Sequence, residues 1–196
     1  PQSALGATDQ SPAMTPKRPS NEVLNRLKAA AGAGGWSEDA NEIAPHMVEW
    51  RERYRGATPL MLKPASVEAV SAIVRICAET RTAIVPQGGN TGLAGGQIPS
   101  ADGDQILLSL TRLNRVRAVD AAGNTLTVEA SAILANVQRE ADAHDRLFPL
   151  SLASEGSATI GGLVSTNAGG TGVLAYGNMR ELVLGLLAPG RERRGR

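Results

Sequence analysis

The sequence predicts an α/β fold, and three observations carry that expectation. Short apolar runs of strand length alternate with amphipathic helical segments from Pro59 onward. The helical segments open on residues that cap helices, such as Ser20 and Ser66. Glycines concentrate in two stretches, each placed after an apolar run rather than scattered through the chain.

Residues 1–19 are polar and proline-rich and read as disordered, with Met14 as an alternative start. Residues 20–58 read as an N-terminal helical arm. Ser20 caps a helix to about Ala31 that ends at Gly32, and Val23, Leu24 and Leu27 share one face. The part of the arm from residue 36, with Trp36 and Trp50, reads as irregular.

Order begins at Pro59. A strand is expected over Pro59–Lys63, then a helix capped by Ser66 and running to Thr80. Val70, Ile73, Val74 and Cys77 recur at helical spacing, which makes Cys77 a core residue. Strands follow at Ala83–Pro86 and Ile106–Leu110. Val116–Asp120 and Thr125–Ala130 then form an antiparallel pair. A helix is expected over Ala132–His144, with Ile133, Val137 and Ala141 inward and His144 a spectator in its last turn. Phe148–Leu150 leads to the second glycine stretch. Four arginines, Arg191, Arg193, Arg194 and Arg196, give residues 187–196 the character of a solvated tail.

Composition narrows the function. Hydrophobic residues make up 42% of the chain and aromatics only 3%, so an aliphatic core is affordable but a base-stacking surface is not. Twenty basic and 19 acidic side chains leave a charge of +1, with no general field for nucleic acid. One cysteine and two distant histidines, His46 and His144, offer no metal-site spacing. No apolar run approaches the ~20 residues that span a bilayer, and no signal-peptide pattern opens the chain. The default location is cytoplasmic.

The first glycine stretch is Val85-Pro86-Gln87-Gly88-Gly89-Asn90-Thr91-Gly92-Leu93-Ala94-Gly95-Gly96. Consecutive amides in such a loop can converge on one concavity that suits a pyrophosphate, and Asn90 and Thr91 add side-chain donors. A flexible surface loop is the plain alternative. The loop has neither the GxGxxG–helix arrangement of a Rossmann site nor the Gly-Lys of a P-loop. The second stretch runs from Ser154 to Gly172 and includes Gly156, Ser157, Thr159, Ile160, Gly161, Gly162, Ser165, Asn167 and Gly169. A short helix starting near Thr159 is expected to add its N-terminal amides to the anion site. A serine nucleophile is disfavoured, because there is no GxSxG elbow and no well-placed histidine.

Together the two stretches resemble the FAD-binding domain of the vanillyl-alcohol oxidase / p-cresol methylhydroxylase type (PCMH-type). The resemblance is to the D-lactate, D-2-hydroxyglutarate and glycolate-oxidase-subunit group within it. It rests on Pro86-Gln87-Gly88-Gly89-Asn90-Thr91-Gly92, on Gly156 through Gly162, on Ser165 through Gly170, and on Tyr176 through Leu182. Lys63 through Val70 also fits, and the similarity covers about residues 21–186.

The resemblance implies two α/β subdomains, the second incomplete, with the FAD-binding domain partial over residues 59–186. Pro86 through Leu93 would hold the FAD pyrophosphate. Gly156, Ser157, Thr159, Ile160, Gly161, Gly162, Ser165, Asn167 and Gly169 would line the flavin and its ribityl chain. Family members with covalent FAD often attach it through a histidine near the first loop; here that neighbourhood has Asn90 and Thr91, which implies non-covalent FAD. The implied activity is oxidation of a small 2-hydroxy acid by hydride transfer to FAD. The electron acceptor is left open. No catalytic or metal residue is assigned, because the substrate domain of the family is not in this chain. The end after Leu186 is read as a truncation. The alternatives are an inactive fragment with weak or no FAD binding, and another PCMH-type flavin oxidase.

Overall fold

A computed structural model describes residues 18–187 of the 196-residue chain. The expectations for residues 1–17 and for the arginine tail lie outside the described residues. The element order is α1 (Asn21–Ala31), β1 (Trp36–Ser37), α2 (Ala40–Ile43), a 3-10 turn (Ala44–His46), β2 (Met61–Leu62), α3 (Val67–Thr80), β3 (Ile84–Gln87), β4 (Ile106–Ser109), β5 (Val116–Asp120), β6 (Thr125–Val128), α4 (Leu134–Asp142), α5 (Ile160–Thr166), α6 (Val173–Tyr176) and a second 3-10 turn (Met179–Leu182).

Four strands form one sheet in the order β1-β2-β4-β3. β2 and β3 both run parallel to β4, and β1 is antiparallel to β2. Every residue of β2 and β4 is buried, the pattern of strands covered on both faces. The two faces have different covers. Leu60, Leu62, Ile106 and Leu108 pack with Leu27 and Ala31 of α1 and with Val70, Ile73 and Cys77 of α3. Burial pushes the Cys77 thiol up to about 11. Met61 and Leu107 point to the opposite face, where Ile43 and Met47 of the arm cover them.

The arm is therefore not irregular. Asp39 caps α2 by accepting from the Asn41 amide at 2.8 Å, and the buried Glu49 accepts from the amides of Arg51 and Arg53 at 2.6 Å each. Its backbone is tied to the segment after the first glycine loop by Ala57 N–H to Ser100 O at 3.0 Å.

Three boundaries differ from expectation for identifiable reasons. The strand over Pro59–Lys63 shrinks to two residues; the Thr58 hydroxyl sits 2.8 Å from both Leu60 O and Gln105 O and replaces the ladder at that end. β3 extends to Gln87, which pairs with Ser109, and it tolerates Pro86 because it is an edge strand. α4 starts at Leu134, because Ile133 forms a bridge with Thr159 and the Ala132 carbonyl accepts the Ile160 amide at 3.0 Å.

β5 and β6 pair antiparallel as expected, with an irregularity between Val116 and Ala118. Leu126 and Val128 of this hairpin pack against a second core of Leu134, Val137, Leu150, Ile160, Leu163 and Met179. No helix among the described residues is long and apolar enough to cross a membrane.

Candidate cofactor site

The structure brings the two glycine stretches into direct contact. A Cβ on Gly88 would collide with Thr159 Oγ1, and one on Gly89 would collide with the Ser157 carbonyl. Glycine is required at both positions because the chain of the other stretch lies against them.

The first loop leaves β3 at Gln87, which is 2% exposed. The Gln87 Nε2 donates to His46 O at 3.0 Å and to Gln97 O at 2.9 Å. Asn90 has a left-handed φ of 52°, a conformation that asparagine tolerates better than most residues. Its Nδ2 donates to Val48 O at 2.9 Å. The Gln97 Nε2 donates to Gly92 O at 2.7 Å and to Asn90 Oδ1 at 3.1 Å. The Asn90 side-chain donor expected at the anion site is thus directed into the protein.

The main chain behaves in the opposite way. Among the described residues, none of the amides of Gly88, Gly89, Asn90, Thr91 and Gly92 donates to a protein acceptor. All five residues are half-buried. Successive amides without protein partners in a partly shielded loop have the donor pattern an anion requires.

Two amides of the second stretch are taken up by the segment before α4. Ile160 N–H donates to Ala132 O at 3.0 Å and Gly161 N–H to Ala130 O at 2.6 Å. These amides at the start of α5 are therefore not available to an anion, contrary to the expectation for this helix. Ser165 Oγ donates to Gly161 O at 2.7 Å and Thr166 Oγ1 to Gly162 O at 2.9 Å, both back-bonds within the helix. Each hydroxyl oxygen keeps its acceptor capacity.

Asn167 ends α5 in the left-handed region with φ 50°, and its Oδ1 accepts the Arg180 amide at 3.1 Å. The Arg180 guanidinium donates to the last carbonyls of the helix, at Val164 and Ser165. Gly169 lies against the Asn178 side chain. Ser165, Asn167 and Gly169 thus make their contacts on the α5–Arg180 side, away from the Gly88–Thr159 junction.

Upstream of this stretch, the buried Glu129 binds the guanidiniums of Arg115 and Arg117, each at 3.0 Å, and accepts the Arg115 amide at 2.9 Å. The Arg115 hydrogen bonds lead in holding its carboxyl down to about 2, against the opposing effect of burial. His144 contacts Glu140 O through Nδ1 at 2.9 Å, consistent with a helix-end spectator. An open cleft beside α4, lined by Gln138, Arg146, Phe148 and Tyr176 among others, shares no residue with the Gly88–Gly92 loop or with Gly156–Gly162. Among the described residues, no three His, Cys, Asp or Glu side chains cluster as a metal site.

His46 and Gln97 were not expected in this neighbourhood. Both are linked to the loop through contacts that carry no local sequence signal.

Residues 58–188 match a family described as an FAD binding domain. The zebrafish (Danio rerio) "D-2-hydroxyglutarate dehydrogenase, mitochondrial" is 38% identical over 187 residues, covering 93% of this chain and 34% of the relative. The "D-2-hydroxyglutarate--pyruvate transhydrogenase DLD3" of Saccharomyces cerevisiae is 40% identical over 150 residues, covering 76% of this chain and 30% of the relative. The chain thus spans about a third of the length of these relatives. Among solved structures, an alkyldihydroxyacetonephosphate synthase superposes with a TM-score of 0.75 at 19% identity, over 89% of this chain and 34% of that one. This likeness shows the fold. Relatives in zebrafish, rice and Arabidopsis carry "mitochondrial" in their names, which overturns the cytoplasmic expectation.

Proposed function

From the premise that this chain belongs to the FAD-binding domain family, we propose that its Gly88–Gly92 loop holds the FAD pyrophosphate. The observation that carries this is the run of five amides without acceptors among the described residues. A pyrophosphate supplies several acceptor oxygens and negative charge, which fits such a donor array. Pro86 and Gln87 fix where the loop leaves β3, and Leu93 stands half-exposed just beyond it. Thr159 and Ser157 form the wall behind Gly88 and Gly89. On the α5 side, Gly162 and the hydroxyls of Ser165 and Thr166 would line the flavin and its ribityl chain. No histidine lies within the loop, so binding is non-covalent.

We place the chain within a protein that oxidises a small D-2-hydroxy acid. The similarity to D-2-hydroxyglutarate enzymes supports that acid ahead of D-lactate and glycolate. When bound, FAD supplies the hydride acceptor. The residues of this chain bind and orient the cofactor, and none of them is assigned to proton transfer.

The test is to mix the purified chain with FAD, desalt it and record flavin absorbance and fluorescence. Retained flavin with quenched emission is the expected result. Loss of all flavin from this chain and from a longer protein containing it would overturn the reading. Substrate profiling of the longer protein with D-2-hydroxyglutarate, D-lactate and glycolate would then identify the acid.

A second reading, weak FAD binding by this chain alone, is favoured by one observation. Leu174, Leu184 and Leu187 are almost fully exposed near the second stretch, at 102%, 84% and 81%. Flavin that binds the longer protein but washes from this chain would select it.

A further inference from the structure

We propose that His46, Gln87, Asn90 and Gln97 form a side-chain strut that fixes the first glycine loop from the arm side, with His46 as its positioning residue in the Nδ1–H tautomer. The inference rests on the proposed role of that loop in holding the FAD pyrophosphate.

Main-chain carbonyls fix the orientation of each amide in the strut. The Gln87 Nε2 faces two carbonyls, His46 O and Gln97 O, so its Oε1 must be the atom 2.6 Å from His46 Nδ1. An amide oxygen only accepts, so Nδ1 carries the proton and donates. In the same way, the Asn90 Nδ2 faces Val48 O, which leaves its Oδ1 to accept from Gln97. The Gln97 Nε2 closes the circuit on Gly92 O at 2.7 Å.

The strut engages the loop at its start, middle and end, through Gln87, Asn90 and Gly92. It uses side chains and carbonyls only and takes up none of the amides of Gly88 through Gly92, which have no acceptor among the described residues. His46 lies 41 residues before Gln87 and reaches it because Ile43 and Met47 dock on the sheet face carrying Met61 and Leu107. The half-buried His46 is part of an otherwise structural arm, so its contact with Gln87 converts arm docking into loop geometry. A rigid donor array binds an anion more tightly than one that must first be ordered.

The experiment compares the whole chain with His46→Ala and His46→Asn. Asparagine offers an amide N–H close to the position of Nδ1, and alanine offers none. FAD affinity is read by flavin fluorescence. Backbone 15N order parameters of the FAD-free proteins are read at residues 88–92, and hydrogen exchange at the α3 core amides is the global control. His46→Ala is expected to weaken FAD binding about fivefold, the equivalent of one lost hydrogen bond. It is also expected to lower the order parameters at 88–92 while α3 exchange is unchanged, and His46→Asn should restore most of both. Unchanged order parameters at 88–92 in His46→Ala overturn the proposal. So does faster exchange through α3, or an asparagine variant no better than alanine. If the parent chain binds no FAD while the order-parameter pattern holds, the pyrophosphate reading fails and the strut stands.

Discussion

Around Gly88, side chains hold the loop to the protein and five consecutive amides have no acceptor among the described residues. Around Gly161 the arrangement is reversed: the Ile160 and Gly161 amides bind Ala132 and Ala130, and Ser165 and Thr166 are hydrogen-bonded to the turn before them. Both stretches are rich in Gly, Ser, Thr and Asn, and composition alone makes them look like two halves of one cradle. The difference lies in which groups carry the hydrogen bonds. The first loop is held through side chains, partly by the arm, while the Ile160 and Gly161 amides of the second stretch are taken up by the segment before α4. The second stretch forms the wall against which Gly88 and Gly89 lie.

The strongest way to break the comparison is at the junction. Gly89→Ala drives a methyl group into the Ser157 carbonyl, a backbone group that cannot rotate aside. The expected cost is about 3 kcal/mol of stability, with loss of FAD binding. Urea unfolding of the variant checks it, and an unchanged midpoint would show that the two stretches are not pressed together.

Gly88→Ala meets a side chain instead, Thr159 Oγ1, and is expected to cost about 2 kcal/mol. Adding Thr159→Ala should recover part of that loss. The coupling, measured as a double-mutant cycle, is expected to reach about 1 kcal/mol. Strict additivity would contradict the contact.

Acid is expected to act on the second stretch through Glu129. The Glu129 carboxyl is held at about 2, below its ordinary value of 4.5. A depressed folded-state pKa stabilises the fold above the unfolded value, and that contribution is lost as pH falls from about 4.5 towards 2. Because Glu129 directly precedes Ala130 and its carbonyl accepts the Ala132 amide, hydrogen exchange at Ile160 and Gly161 should rise in this window ahead of exchange in α3. In Glu129→Gln this pH dependence should be largely abolished.

Ser165→Ala is expected to have the smallest effect, with stability changing by less than about 0.5 kcal/mol at this exposed site. A fall in FAD affinity at unchanged stability in this variant would support the proposed contact of the Ser165 hydroxyl with the cofactor.

Much of the fold was legible where the signal is local. α3 follows from Ser66 as cap and from Val70, Ile73 and Cys77 on one face. The β5–β6 pair follows from two apolar runs around Gly123. The boundaries failed where a distant partner intervened. Thr159 and Ile160 draw Ala132 and Ile133 away from α4, and nothing in residues 130–134 announces that. In the site, the glycines were legible because backbone freedom is written in residue type. The direction of the Asn90 amide was not, since it depends on Val48 lying beneath it. His46 was hidden for the same reason: its role comes from the way α2 and the following turn settle on the sheet.

The junction of Gly88 and Gly89 with Ser157 and Thr159 also sets a schedule for biosynthesis. As the chain leaves the ribosome, every residue of the arm, β3 and the strut has been made once Gln97 has emerged, and β4 then supplies the sheet that seats them. The wall behind the loop must wait for β4, the hairpin, α4 and finally Thr159. Closure between such distant segments is slow relative to local structure. Cofactor capture should therefore be a late event in maturation, one that distinguishes a finished nascent chain from one stalled before residue 159.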